Sequence, residues 1–258
     1  MKTTRQTSSW ALAGALVGVL LATLLNAPAH WLTRTLQQAS QGRLVFQAPR
    51  GTLWNGSAQL VLTAGPDSAE ATTLPGRLAW QLQPALTGFS VNLLADCCMQ
   101  NAMRLSLKPH WGGATWVLAD SLSQWPAQWL VGLGTPWNTV QAEGQLSLST
   151  QGLSVQWVSG QWRLAGRAQL DARQISSRLS SLKPMGSYRL TLTGGPTSSF
   201  QVETIEGALQ LTGSGQWVGG KLRFDGVASA APERLEALSN LLNIIGRRDG
   251  TRTLIKIG

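Results

Sequence analysis

A chain of 258 residues is long enough to bury a core without help from disulfides. Only 13% of its residues are charged, about half the usual share, and 28 Gly stand among abundant Ser, Thr and Gln. The net charge of +9 comes from basic residues scattered singly, apart from a loose group at Arg247, Arg248, Arg252 and Lys256, so nucleic-acid binding is not expected. Mild attraction to anionic lipid head groups explains such a balance more cheaply.

Residues 1–9 form a short polar, basic tail containing Lys2 and Arg5. Trp10 to Leu25 then runs without a charge, and weaker apolar character continues to Leu32. Counted over 10–32, this stretch predicts one transmembrane helix across a core of roughly 30 Å. Trp10 and Trp31 would anchor its two ends at the interfaces, and the basic tail would keep the N-terminus in the cytoplasm. Ala27-Pro28-Ala29 mimics a signal-peptidase site, so cleavage after Ala29 is the rival reading. The uncleaved anchor is favoured, because the apolar run exceeds the roughly 7–15 residues of a signal core. Either way the remainder is exported: a polar link over 33–42, then a β-rich domain over 43–258.

From Arg43–Ala48 onward the dominant pattern is period-two alternation broken by Gly. One unit recurs as Gly56–Leu60, Gly144–Leu148, Gly166–Leu170 and Gly207–Leu211, with a relaxed copy at Gly76–Trp80. Each puts apolar side chains on one face and polar ones on the other, with Gly supplying a bend at the strand entrance. Further strand candidates are Phe89–Ala95, Met103–Lys108, Thr115–Ala119, Ser154–Val158, Tyr188–Thr193 and Leu222–Val227. No helices alternate with them, which predicts an antiparallel, curved or meander-type sheet. Gly194-Gly195-Pro196 and Gly213-Ser214-Gly215 read as hairpin turns. Two segments have helical spacing instead: Leu122–Leu133, interrupted by Pro126, and Pro232–Ile245, closed by Gly246.

Little here supports catalysis. The only histidines are His30 and His110, the 12 carboxylates are dispersed, and no phosphate-cradling or calcium-binding loop appears. No cofactor, metal or small-molecule substrate is expected. Cys97 and Cys98 are adjacent and are the only cysteines. Three readings stand: a vicinal disulfide stapling a turn (the favoured one), two buried thiols, or a redox switch. Twelve Trp dominate the aromatics. Trp54, Trp80, Trp111, Trp116, Trp137, Trp157, Trp162 and Trp217 lie in or beside strands, as core residues or as an exposed docking row.

Gly51-Thr52-Leu53-Trp54-Asn55-Gly56-Ser57-Ala58, followed by Trp80-Gln81-Leu82-Gln83-Pro84, resembles protein N of the type II secretion pathway. Further similarity lies at Gly132–Thr139, Gly144–Leu146 and Leu241–Gly246. The resemblance implies a bitopic, non-enzymatic inner-membrane subunit of Gram-negative bacteria, with its large domain in the periplasm and other secretion subunits as partners. It implies no catalytic residues. Gly51, Thr52, Leu53, Trp54, Gly56, Trp80 and Pro84 are then structural: Gly51 and Gly56 bracket a bent strand with Trp54 packed inside. Exposed sheet edges would take strands from partners. The alternative is a membrane-tethered lipid-binding or lipid-transfer domain holding acyl chains against a greasy sheet face. A periplasmic hydrolase lacks a catalytic constellation.

Overall fold

Pro28 divides the N-terminal apolar stretch. In the computed structural model, which describes residues 4–66, 68, 70–158, 160–218 and 221–258, helix α1 runs Thr4–Leu25 and helix α2 runs Ala29–Ala39. The single helix expected over 10–32 is therefore two. Proline has no N–H and disfavours helical backbone in the residue before it, so the helix stops at Leu25. Asn26 closes α1 through its backbone N–H and its side-chain Nδ2, both donated to the Ala22 carbonyl. Among the described residues no helix is long and apolar enough to cross a membrane. Trp10 stands exposed on α1 and Trp31 on α2, on opposite sides of the break. The stretch 33–42, expected as a polar link, is helical to Ala39; α2 buries Ala29 and Thr33.

The rest is one antiparallel sheet. Its strands are β1 Leu44–Gly51, β2 Asn55–Thr63, β3 Ala71–Thr73, β4 Leu78–Ala85, β5 Gly88–Ala95, β6 Met103–His110, β7 Gly113–Leu118 and β8 Ser121–Pro126. They continue with β9 Glu143–Val158, β10 Gln161–Ser176, β11 Gly186–Thr193, β12 Ser199–Gly207, β13 Leu209–Val218, β14 Lys221–Ala230, β15 Arg247–Asp249 and β16 Arg252–Ile257. The order is β1-β2-β4-β5-β6-β7-β9-β10-β11-β12-β13-β14-β16-β15, with β3 on β2 and β8 on β9. Long β9 holds β7 and β8 along one edge, Val158 pairing with Gly113 and Thr150 with Ser121. The expected antiparallel meander is what forms.

Strands that alternate in direction sort their connections to two ends. The short turns β1–β2, β4–β5, β6–β7, β9–β10, β11–β12 and β13–β14 gather at one, the hairpin end. The long connections over 64–77, 96–102, 127–142, 177–185 and 231–246 gather at the other, the loop end. The main core lies beneath the loop end. There Leu238, Leu241 and Leu242 of helix α4 (Leu235–Ile245) pack with Met185, Leu209 and Ala228. A 3₁₀ turn over Ala127–Leu133 and the short helix α3 (Trp137–Val140) cover the same end.

Helical spacing over Leu122–Leu133 proves misleading. The segment is β8 up to Pro126 and only then the 3₁₀ turn, because proline cannot donate to a helix that crosses it. Gly213-Ser214-Gly215, read as a turn, lies inside β13, which runs on to Val218. Of the recurring units, the one starting at Gly166 has its glycine inside β10, at a shift of register against β9, not at a strand entrance.

Candidate functional site

The resembling motif builds a joint between the N-terminal helices and the sheet. Thr52, Leu53 and Trp54 form the turn between β1 and β2 rather than a bent strand. Gly51 opens it with φ +83°, a conformation that suits glycine, and a Cβ there would fall on the Asn55 carbonyl oxygen. Thr52 closes the turn: its N–H donates to the Asn55 carbonyl at 2.9 Å, and its Oγ1 accepts from the Asn55 N–H at 3.1 Å.

This turn reaches back to the helix break. The Leu53 N–H donates to the Ala27 carbonyl at 2.7 Å, Thr52 bridges Pro28, and the Trp54 indole N–H donates to the Leu24 carbonyl at 2.8 Å. Leu24 lies in the last turn of α1, where carbonyls lack i+4 helical partners; its oxygen takes a long 3.3 Å bond from the Ala27 N–H, and the indole adds the shorter one. Trp54 thus points out of the turn toward α1, not into a strand. The buried indole is Trp80, whose N–H donates to the Leu53 carbonyl at 3.1 Å. Gly56 makes room for it: a Cβ at Gly56 would stand 2.5 Å from Trp80 Cζ2 and 2.8 Å from the carbonyl oxygens of Arg50 and Thr52. Ala29, Ala58 and Trp80 form a small core under the joint. Each hydrogen bond contributes about 1 kcal/mol net.

Of the motif residues, Gly51 to Trp54, Gly56 and Trp80 converge here, while Pro84 stands apart near the tip of β4, paired with Phe89. Sequence reasoning missed Leu24, Ala27 and Arg77. Arg77 donates to Ser57 Oγ at 3.0 Å and to the Ala48 and Ser57 carbonyls, clamping the irregular end of β1 to β2. The proline following an apolar run was the available signal for a corner needing a partner.

At the loop end the Cys97 and Cys98 sulfurs stand at a bonded 2.01 Å, with Cys98 in a small core beside Leu60, Leu74 and Ala95. Within the sheet, Asp171 on β10 pairs in register with Arg189 on β11, accepting two guanidinium hydrogen bonds at 2.8 and 2.9 Å. Those hydrogen bonds hold its carboxyl below the usual carboxylate range in spite of burial. The neighbouring Tyr188 is pushed up by burial, and its hydroxyl has no hydrogen-bond partner among the described residues. His30 lies on α2 and His110 at the hairpin end of β6, in separate elements. Among the described residues no three His, Cys, Asp or Glu side chains are grouped to hold a metal.

A family model described as type II secretion system (T2SS), protein N, matches residues 42–254. The chain belongs to the type II secretion system protein N family. Searches of curated proteins and of solved structures gave no match. The matched residues take in all of the sheet but the last three residues of β16, and the GTLW turn of the joint.

Two grooves mark the sheet. One, of about 580 Å³, crosses β12, β13, β14 and β16, with Gln201, Glu203, Thr212, Asp225 and Lys256 in its lining. The other, of about 540 Å³, is lined by Ile245, Arg247, Arg248, Asp249, Leu254 and Lys256. They adjoin the free C-terminal edge. β15 pairs only with Arg252 to Leu254, so among the described residues the outer edge of Ile255–Ile257 is unpaired. The opposite edge, β1, is blunted by Pro49 and by an irregularity between Gln47 and Arg50.

Proposed function

We propose that this chain is a non-catalytic component of the type II secretion machinery, held at the inner membrane by the apolar N-terminal stretch that begins in α1, with its N-terminus in the cytoplasm and its sheet in the periplasm. The observation that carries this reading is the joint. A family motif, common to a secretion component, is used here to lock the end of an apolar helix onto a large sheet, as a tether requires. Support for α1 as the tether comes from its surface: Trp10, Leu12, Leu16, Val19, Leu20 and Leu25 are all exposed and need an apolar medium to cover them. Lys2 and Arg5 set the orientation by the positive-inside rule.

Other secretion subunits are the partners, engaged at the open edge of β16, where unpaired backbone groups accept an added strand. A lipid carrier would need an apolar groove, whereas both grooves beside that edge carry charged side chains. The test is genetic and biochemical. Deleting the chain should leave folded cargo in the periplasm, and alkaline carbonate should fail to strip the protein from inner membranes. Normal secretion in the deletion strain, or release by carbonate, would overturn the reading.

A further inference from the structure

We infer that the hairpin end of the sheet rests on the surface of an anionic lipid bilayer, with exposed indoles at the depth of the head groups. This goes beyond a helical tether: it fixes which end of the sheet faces the membrane and names the side chains that touch it. It rests on α1 being membrane-inserted.

Topology supplies the first observation. The β1–β2 turn that grips Leu24 through Trp54 belongs to the hairpin end, so α1 is delivered to that end. Four of the hairpins along the same end present large apolar side chains to solvent, while the β11–β12 turn, Gly194–Ser198, carries none. Leu86 and Trp111, at the β4–β5 and β6–β7 tips, are as exposed as in an extended chain, at 107% and 103%. Trp157 and Trp162 flank the β9–β10 turn as a directly paired couple, and Trp217 and Val218 lead into the β13–β14 turn. The β6–β7 and β9–β10 tips stand level, since Gly113 pairs with both His110 and Val158. Trp116 joins Trp162 at 5.5 Å between ring centroids, extending the aromatic surface inward from the tip.

Charge supplies the second. The segments 82–90, 107–116, 155–164, 192–201 and 215–224, which contain these hairpins, hold no Asp or Glu but do hold Lys108, Arg163, Lys221 and Arg223. Carboxylates lie toward the loop end instead, as Glu70, Asp96, Glu143, Glu206, Glu233, Glu236 and Asp249 do, or part-way along the sheet, as Asp120, Asp171, Glu203 and Asp225 do. A rim of indoles and cations without a single anion complements a surface of anionic head groups.

Spacing separates a bilayer from a protein partner. From β4 to β14 the sheet advances nine strand steps, about 40 Å at roughly 4.8 Å per step. Protein hot spots cluster in one desolvated centre, whereas a bilayer accepts rings set singly along a line.

The test uses the full chain reconstituted in vesicles. No free thiol is present, so the single variants Leu86→Cys, Trp111→Cys and Ser181→Cys each accept one environment-sensitive maleimide dye. Ser181 is exposed in the β10–β11 connection at the loop end and serves as the reference. In vesicles rich in phosphatidylglycerol, dyes at positions 86 and 111 should shift to the blue. Lipids spin-labelled at the head group should quench them at least about twofold more than the dye at 181. Replacing phosphatidylglycerol by phosphatidylcholine should weaken that quenching. Equal quenching at all three positions would overturn the inference, and lipid-independent quenching at the tips would overturn its anionic character. Flotation reports on the tether separately: a chain that floats while its tips stay in water loses the rim and keeps the tether, and a chain that does not float loses both.

Discussion

The indole N–H of Trp54 donates to the carbonyl of Leu24, thirty positions earlier in the chain, joining the last turn of α1 to the first turn of the sheet at 2.8 Å. Trp54→Phe keeps a ring and removes the donor. The sheet should fold as before, with a loss of about 1 kcal/mol. Proteolysis of the full chain should become faster near Asn26–Pro28, because the corner loses one of its ties. An unchanged cleavage rate there would mean the indole does not hold the joint.

Gly56→Ala tests packing at the same place. The added Cβ meets Trp80 Cζ2 at 2.5 Å, and two backbone oxygens at 2.8 Å that cannot rotate away. The expected cost is about 2–4 kcal/mol, seen as a fall in Tm of roughly 4–16 °C. Gly65→Ala is the comparison for expression: a Cβ there meets nothing within 4 Å, although its φ of +151° still brings some strain.

Asp171 and Arg189 set a pH dependence. The folded-state pKa of Asp171 is depressed, so its contribution is complete above the unfolded value of about 3.9 and disappears as pH falls through the folded value. Asp171→Asn should cost about 1–3 kcal/mol at pH 7. The gap in Tm between the two proteins should narrow as pH drops below about 4. A gap that stays constant down to pH 2, or widens, would contradict the assignment.

Tyr188→Phe removes a buried hydroxyl without a partner among the described residues. The variant should be as stable as the parent or more stable by about 1 kcal/mol, read from denaturant midpoints at unchanged slope. Destabilisation by that amount would show that the hydroxyl has a hydrogen bond in solution.

The sheet was legible because strand periodicity is local. Alternation along Tyr188–Thr193 or Leu222–Val227 reports two faces with no knowledge of what covers them. Failures fall where a residue serves a distant neighbour. Gly213 looks like a turn residue, yet it clears space inside β13 for the Phe224 ring across the ladder. Leu122, Trp125 and Trp129 have helical spacing, but pairing with β9 decides the backbone of the first two, and Pro126 confines Trp129 to a 3₁₀ turn. In the joint, the motif residues could be named in advance, while Leu24 and Ala27 could not. Their part lies in main-chain carbonyls, which any side chain could carry. The tryptophans divided in the same way: Trp80 is buried and Trp111 is bare, although both sit in or beside strands of similar composition.

The open edge of β16 is where secretion partners should meet this chain, and in-cell photocrosslinking tests that most directly. A photoreactive side chain at Lys256 should yield an adduct with another subunit of the type II secretion machinery, and one at Arg50, on the blunted edge of β1, should yield much less. Adducts from Arg50 alone, or none from either position in a secreting cell, would contradict the account.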